Sequence, residues 1–147
     1  NMDAEISASG EHLYFTDNIW APGVPRSSDL RLAVHENGTW RRAGEFDRLF
    51  VNVNTRGALE YAPATSENEL ELYFTRLTRR FLQPPRFETF VAVREGANTP
   101  FGAPERIAVI NGLAEAPSVA PDGALYFHAM VDGRFTILRT PRDCPRR

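Results

Sequence analysis

Lysine is missing from this chain altogether: all 17 of its basic residues are arginine. That excludes lysine Schiff-base chemistry and a phosphate-loop lysine. The bias itself reads as genomic base composition. A single cysteine, Cys144 in the tail RDCPRR, allows neither an internal disulfide nor a tetrahedral cysteine zinc site. No apolar run reaches the about 18 residues of a membrane-spanning helix. The net charge of −2 gives no broad basic footprint for nucleic acid, and the aromatic signature of RNA-binding sheets is absent. Nor is there a G-x-S-x-G elbow, a glycine-rich phosphate loop or a calcium-loop pattern. What remains is an ordinary composition, 42% hydrophobic and 24% charged over 147 residues, the size of one domain.

What is present is a repeat. Leu-Tyr-Phe occurs at Leu13-Tyr14-Phe15, Leu72-Tyr73-Phe74 and Leu125-Tyr126-Phe127. Upstream of each, Ala4, Pro63 and Pro117 share one column, and Ile6, Thr65 and Val119 share another. Between these half-motifs lie turn formers: Ser9-Gly10, Glu67-Asn68-Glu69 and Pro121-Asp122-Gly123. Each copy reads as strand, tight turn, strand. Extended segments follow at Leu30–Val34, Phe87–Val93 and Phe135–Leu138, with further ones at Gly38–Arg42 and between Phe101 and Ile107. No segment carries a helical stripe. Leu-Tyr-Phe places bulk on both faces of its strand, as in a sheet held between two others.

Four-stranded antiparallel units repeating every roughly 40–60 residues describe β-propeller blades. The motif resembles the TolB-like β-propeller repeat. Pro117, Val119, Pro121, Asp122, Gly123, Leu125 and Phe127 match its core, with Ala120 where serine is usual. The second copy keeps Pro63, Ser66, Leu72 and Phe74 but puts Asn68-Glu69 in place of Asp-Gly. The first keeps Ile6, Ser7, Gly10, Leu13 and Phe15. The expected fold is therefore all-β: three four-stranded antiparallel blades at 1–55, 56–110 and 111–141, the third one strand short, and a tail at 142–147. Propellers close with about four to eight blades. This partial propeller is expected to be closed by dimerisation or to belong to a longer chain. Family members are commonly exported, so the resemblance implies a periplasmic or cell-surface setting.

The resemblance implies that the loops between second and third strands gather on one rim. Here these read as long irregular loops at 17–28 and 76–86 and a short one at 129–133. Loops of this kind carry function. Trp20 is a stacking candidate, and Arg76, Arg79 and Arg80, with Arg86, are candidates for clamping a carboxylate or phosphate. Glu60 and Glu115 precede the inner strands and could face one another across the channel, the minimum for glycoside hydrolysis. They are offset by one position, with Tyr61 opposite Glu115. His128 stands where the other copies have Thr16 and Thr75, a candidate proton shuttle or ligand. His12 and His35 fall at non-equivalent places, so neither a metal site nor a cofactor is expected. The reading is a non-enzymatic binding or scaffold module whose rim takes a protein or small ligand. A carbohydrate-active enzyme and a structural portion of a larger protein are the alternatives.

Overall fold

The computed structural model describes residues 2–141; the tail 142–147, with Cys144, lies outside the described residues. The chain is all-β. Its strands are β1 (Met2–Ile6), β2 (His12–Ala21), β3 (Val24–Glu36), β4 (Thr39–Arg42), β5 (Ala58–Thr65), β6 (Glu71–Arg80), β7 (Gln83–Val93), β8 (Glu105–Arg106), β9 (Ala114–Val119), β10 (Leu125–Val131) and β11 (Arg134–Thr140). One 3-10 helix, Gly44–Phe50, follows β4 and buries Leu49 and Phe50. The strand reading gave no sign of it.

Chain neighbours pair antiparallel within three groups, β1–β4, β5–β8 and β9–β11. A parallel bridge between Ser28 and Leu59 joins the first two groups, so hydrogen bonding makes one open eight-stranded sheet and one separate three-stranded sheet. The ladders thus do not divide the chain into three separate blades. Local chemistry explains the join. Ser28 Oγ donates to the Glu60 carbonyl at 2.7 Å, and Asn54 bonds both the N–H and the C=O of Leu30, at 2.8 and 3.1 Å. The Asn54 side-chain amide thus takes the place of a strand neighbour on the β3 edge.

The repeat columns become geometry. Each tight turn closes with the same backbone bond, Gly10 N–H to Ser7 O, Glu69 N–H to Ser66 O and Gly123 N–H to Ala120 O. In each, a side-chain oxygen two residues back caps the next N–H: Ser9 to Glu11, Asn68 to Leu70 and Asp122 to Ala124. The inner strands share a second device. Asp3, Ala62 and Ala116 are equivalent and all left-handed, with φ of 49, 51 and 55°. Each sits at a break in register, which marks a β-bulge. The bulge leaves Met2, Tyr61 and Glu115 opposite Thr16, Thr75 and His128, respectively.

Alternation along the strands builds two cores. Tyr14, Leu30 and Leu32 of the first group pack on Leu72, Phe74 and Ala92 of the second, with Leu49, Phe50, Val53 and Phe101 completing the cluster. Tyr73 and Val91, from the opposite face of the second group, pack on Leu125, Phe127 and Ala129 of the third. Each such side chain contributes roughly 1.5–3 kcal/mol on full burial.

Candidate functional site

Segments 17–28 and 76–86 are not irregular loops. β2 runs into β3 through the two-residue turn Pro22-Gly23, and β6 into β7 through Phe81-Leu82. Asp132-Gly133 does the same between β10 and β11. The prolines that suggested loops sit in or beside register breaks. Pro25 pairs with Trp20 next to one, and Pro84-Pro85 falls inside the break between Thr78 and Arg80. There the ladder has no regular call on an N–H. The result is two hairpin arms standing side by side.

Between these arms opens a cleft of about 590 Å³. One arm supplies Val24 and Pro25, the other Leu77, Arg79, Arg80, Pro85 and Phe87, while Leu59, Tyr61 and Glu115 form the floor. The register explains the lining. Leu59 pairs with Leu77, and Leu77 with Phe87, so three apolar side chains share one face across β5, β6 and β7. Arg79 donates across the mouth to the Pro25 carbonyl and ties the arms together. Arg80 stands exposed beside it.

The same alternation turns Glu60 and Arg76 the other way. They are a directly opposed pair on β5 and β6, and Glu60 is completely buried. Arg76 Nε donates to Glu60 Oε1 at 2.7 Å, Thr55 N–H donates to Oε2 at 3.2 Å, and a second Arg76 nitrogen reaches the Val53 carbonyl at 2.8 Å. The guanidinium lies 4.6 Å from the Phe90 ring centroid. Burial pushes the Glu60 carboxyl up, while the Thr55 N–H and Arg76 pull it down. Glu60 therefore does not face Glu115, and the two-carboxylate arrangement expected of a glycosidase is not formed. Nor do the arginines make one clamp: Arg76 points inward, Arg79 is on the Pro25 carbonyl, and Arg86 pairs with Glu88 at 2.9 Å.

Glu115 is the polar centre of the floor. Tyr61 donates to its Oε2 at 2.5 Å, and His128 Nε2 lies 3.3 Å from its Oε1. Cross-strand pairing on the bulge brings His128 to Glu115, and the stacking of β9 beside β5 brings Tyr61. Burial, and then the Glu115 bond and charge, push the Tyr61 hydroxyl up, so it stays a donor. Burial also raises the Asp3 carboxyl, helped by the Glu115 charge and opposed by the Ala62 N–H and by His128. The His128 ring meets Phe135 edge-on at 5.3 Å. Both Glu115 oxygens are thus engaged. Among the described residues, no three His, Cys, Asp or Glu side chains are placed to hold one metal ion.

No family model matches this sequence, and no curated protein does. The site therefore rests on its own geometry. Of the candidates read from sequence, Arg79, Arg80 and Glu115 line the cleft, and His128 stands behind Glu115. Trp20 lies exposed on the first arm, outside the lining, and Glu60 and Arg76 belong to the interior. Sequence reasoning missed Val24, Leu59, Leu77, Pro85 and Phe87. Alternation would have placed Leu77, Pro85 and Phe87 on one face, had 76–86 been read as strand. A second cleft of about 820 Å³ lies among the three tight turns, between Glu5, Thr65, Ser66, Asn68, Val119 and Pro121. Among the described residues, no helix is long and apolar enough to cross a membrane.

Proposed function

We propose that the chain is a non-enzymatic binding or scaffold module made of three β-propeller-type blades, and that the cleft between its first two hairpin arms seats the ligand. The observation that carries this is the lining: an apolar trough of Leu59, Leu77, Pro85 and Phe87 with Arg80 exposed at the mouth. Such a site suits a protein segment or small molecule with an apolar body and an acidic end. The hairpin tip supports the reading. Phe81 and Leu82 are 91% and 89% exposed, and Leu82 keeps a positive φ of 56°. A bulky apolar residue held in strain at a tip gains nothing for the fold, and strain of this kind clusters at sites of contact. The blade reading draws on the recurrent turns and bulges, and on the antiparallel pairing of chain neighbours within each group.

The test uses 8-anilinonaphthalene-1-sulfonate, an aromatic body with one anionic group, followed by fluorescence titration. Arg80→Glu should weaken its binding about tenfold, the loss of one charge-assisted contact, while circular dichroism stays unchanged. Equal affinity in Arg80→Glu and the parent would overturn the assignment. The enzyme alternative would rest on Glu115 and His128 at 3.3 Å. It requires that Glu115→Gln abolish turnover of a glycoside, and a binding module does not.

A further inference from the structure

The ends of the first two hairpin arms are set apart by their charge. Residues 18–28, NIWAPGVPRSS, and 77–87, LTRRFLQPPRF, hold four arginines and no carboxylate, in a chain of net charge −2. Arg86 pairs with Glu88 at 2.9 Å, and Arg79 donates to the uncharged Pro25 carbonyl. Among the described residues, no carboxylate pairs with Arg26, Arg79 or Arg80. Arg26 is the extra residue at the register break of its arm, between the Ile19–Ser27 and Trp20–Pro25 pairs. Positive charge is therefore concentrated here and left without an acidic partner.

The same ends hold large apolar side chains in the open. Trp20 is 51% and Val24 54% exposed, and the almost wholly exposed Phe81 and Leu82 make the turn of the second arm. The two ends are neighbours. Arg79 ties them together, and Val24, Pro25, Arg79, Arg80 and Gln83 face one cleft. On the second arm the apolar pair stands at the turn itself, with Arg79 and Arg80 just before it. A projecting apolar turn backed by cations matches a bilayer interface, where acyl chains lie beneath a layer of phosphates. Guanidinium groups bind phosphate through paired N–H donors, and tryptophan settles at headgroup level. An acidic protein segment would satisfy the arginines, yet it offers no apolar layer to a projecting turn.

We propose that these two ends dock the protein on an anionic lipid surface. Phe81 and Leu82 enter the acyl boundary, Trp20 lies at the headgroups, and Arg26, Arg79 and Arg80 meet the phosphates. The inference goes beyond the cleft reading, since Trp20, Arg26, Phe81 and Leu82 all stand outside the cleft lining.

Co-sedimentation with vesicles of equal parts phosphatidylglycerol and phosphatidylcholine tests it. The parent should pellet with these vesicles and stay in solution with pure phosphatidylcholine. Phe81→Ser should weaken the binding at least about tenfold, and Arg26→Gln about fivefold. Both variants should keep the parent's affinity for 8-anilinonaphthalene-1-sulfonate, because neither residue lines the cleft. In Trp40→Phe the remaining tryptophan is Trp20, and lipid brominated in its acyl chains should quench its fluorescence. No pelleting, or equal pelleting with both kinds of vesicle, would overturn the docking. So would unchanged binding by Phe81→Ser, or an unquenched Trp20. A parent that binds soluble poly-glutamate but no vesicle would assign the ends to an acidic protein segment instead. The cleft reading fails separately, on equal probe affinity in Arg80→Glu and the parent.

Discussion

Glu69 shows what a single residue settles. It occupies the turn position held by Gly10 and Gly123 and adopts their left-handed backbone, with φ of 57°. An L residue there costs about 1–2 kcal/mol. In return its carboxylate accepts from His12 Nδ1 at 2.8 Å and from the Tyr14 hydroxyl at 2.7 Å, tying the second group to the first. Burial pushes the Tyr14 hydroxyl up and keeps it a donor. Glu69→Ala keeps the strain and loses the bonds; Glu69→Gly loses the bonds and the strain. Urea unfolding should therefore find the alanine variant less stable than the glycine variant by about 1 kcal/mol, and the reverse order would contradict the account. The sequence marked this position as a departure from Asp-Gly. It did not disclose the reason, because the partners are far away in the chain.

Glu5 gives a pH dependence. Its Oε1 accepts the Thr65 N–H at 2.7 Å, linking β1 to β5. Burial holds its carboxyl above the usual range, against the pull of the Thr65 N–H and hydroxyl. A carboxyl that holds its proton more tightly folded than unfolded helps the fold most below its ordinary value. That help is lost as pH rises through the raised value. Glu5→Gln keeps an acceptor and removes the ionisation. Its melting temperature should accordingly gain on the parent's between about pH 4 and about pH 7; a gap that is flat or narrows with pH would contradict this.

At the scale of elements, what was legible was whatever chemistry is local. The tight turns at Ser9-Gly10 and Asp122-Gly123, and the strands on either side, follow from turn residues and β-rich runs. The 3-10 helix GEFDRLF was not legible, since seven residues hold no full stripe. The hairpin arms were misread for a physical reason: proline lacks the N–H a ladder uses, yet register breaks excuse it. That error hid the cleft, because Leu77, Pro85 and Phe87 line it only as alternating strand residues. Of the site, Arg79, Arg80 and Glu115 were legible by type and place. The inward turn of Glu60 was not, since the side a residue faces depends on where the bulge falls. The second arm also carries a prediction. Asparagine tolerates the left-handed region better than leucine, so Leu82→Asn should raise stability by roughly 0.5–1 kcal/mol in urea unfolding. Lower stability would mean the exposed leucine packs against something.

For the whole molecule, a recurring Leu-Tyr-Phe strand forces recurrence of the fold. The first and second groups each bury one face on their successor, since no group can bury both faces alone. The repeat made an all-β chain legible, along with the need for neighbours. It did not reveal that Ser28, Asn54 and Glu60 stitch the first two groups into a single open sheet. Among the described residues, Tyr126 and Ile137 stay exposed on the third group and Ile6 and Ile19 on the first. Exposed apolar residues at both ends fit the proposal that the chain assembles with a partner. The most direct test is the solution mass of the unaltered chain at micromolar concentration. The expected mass is twice the monomer's 16.5 kDa. A stable species at the monomer mass, with both faces left in water, would contradict it.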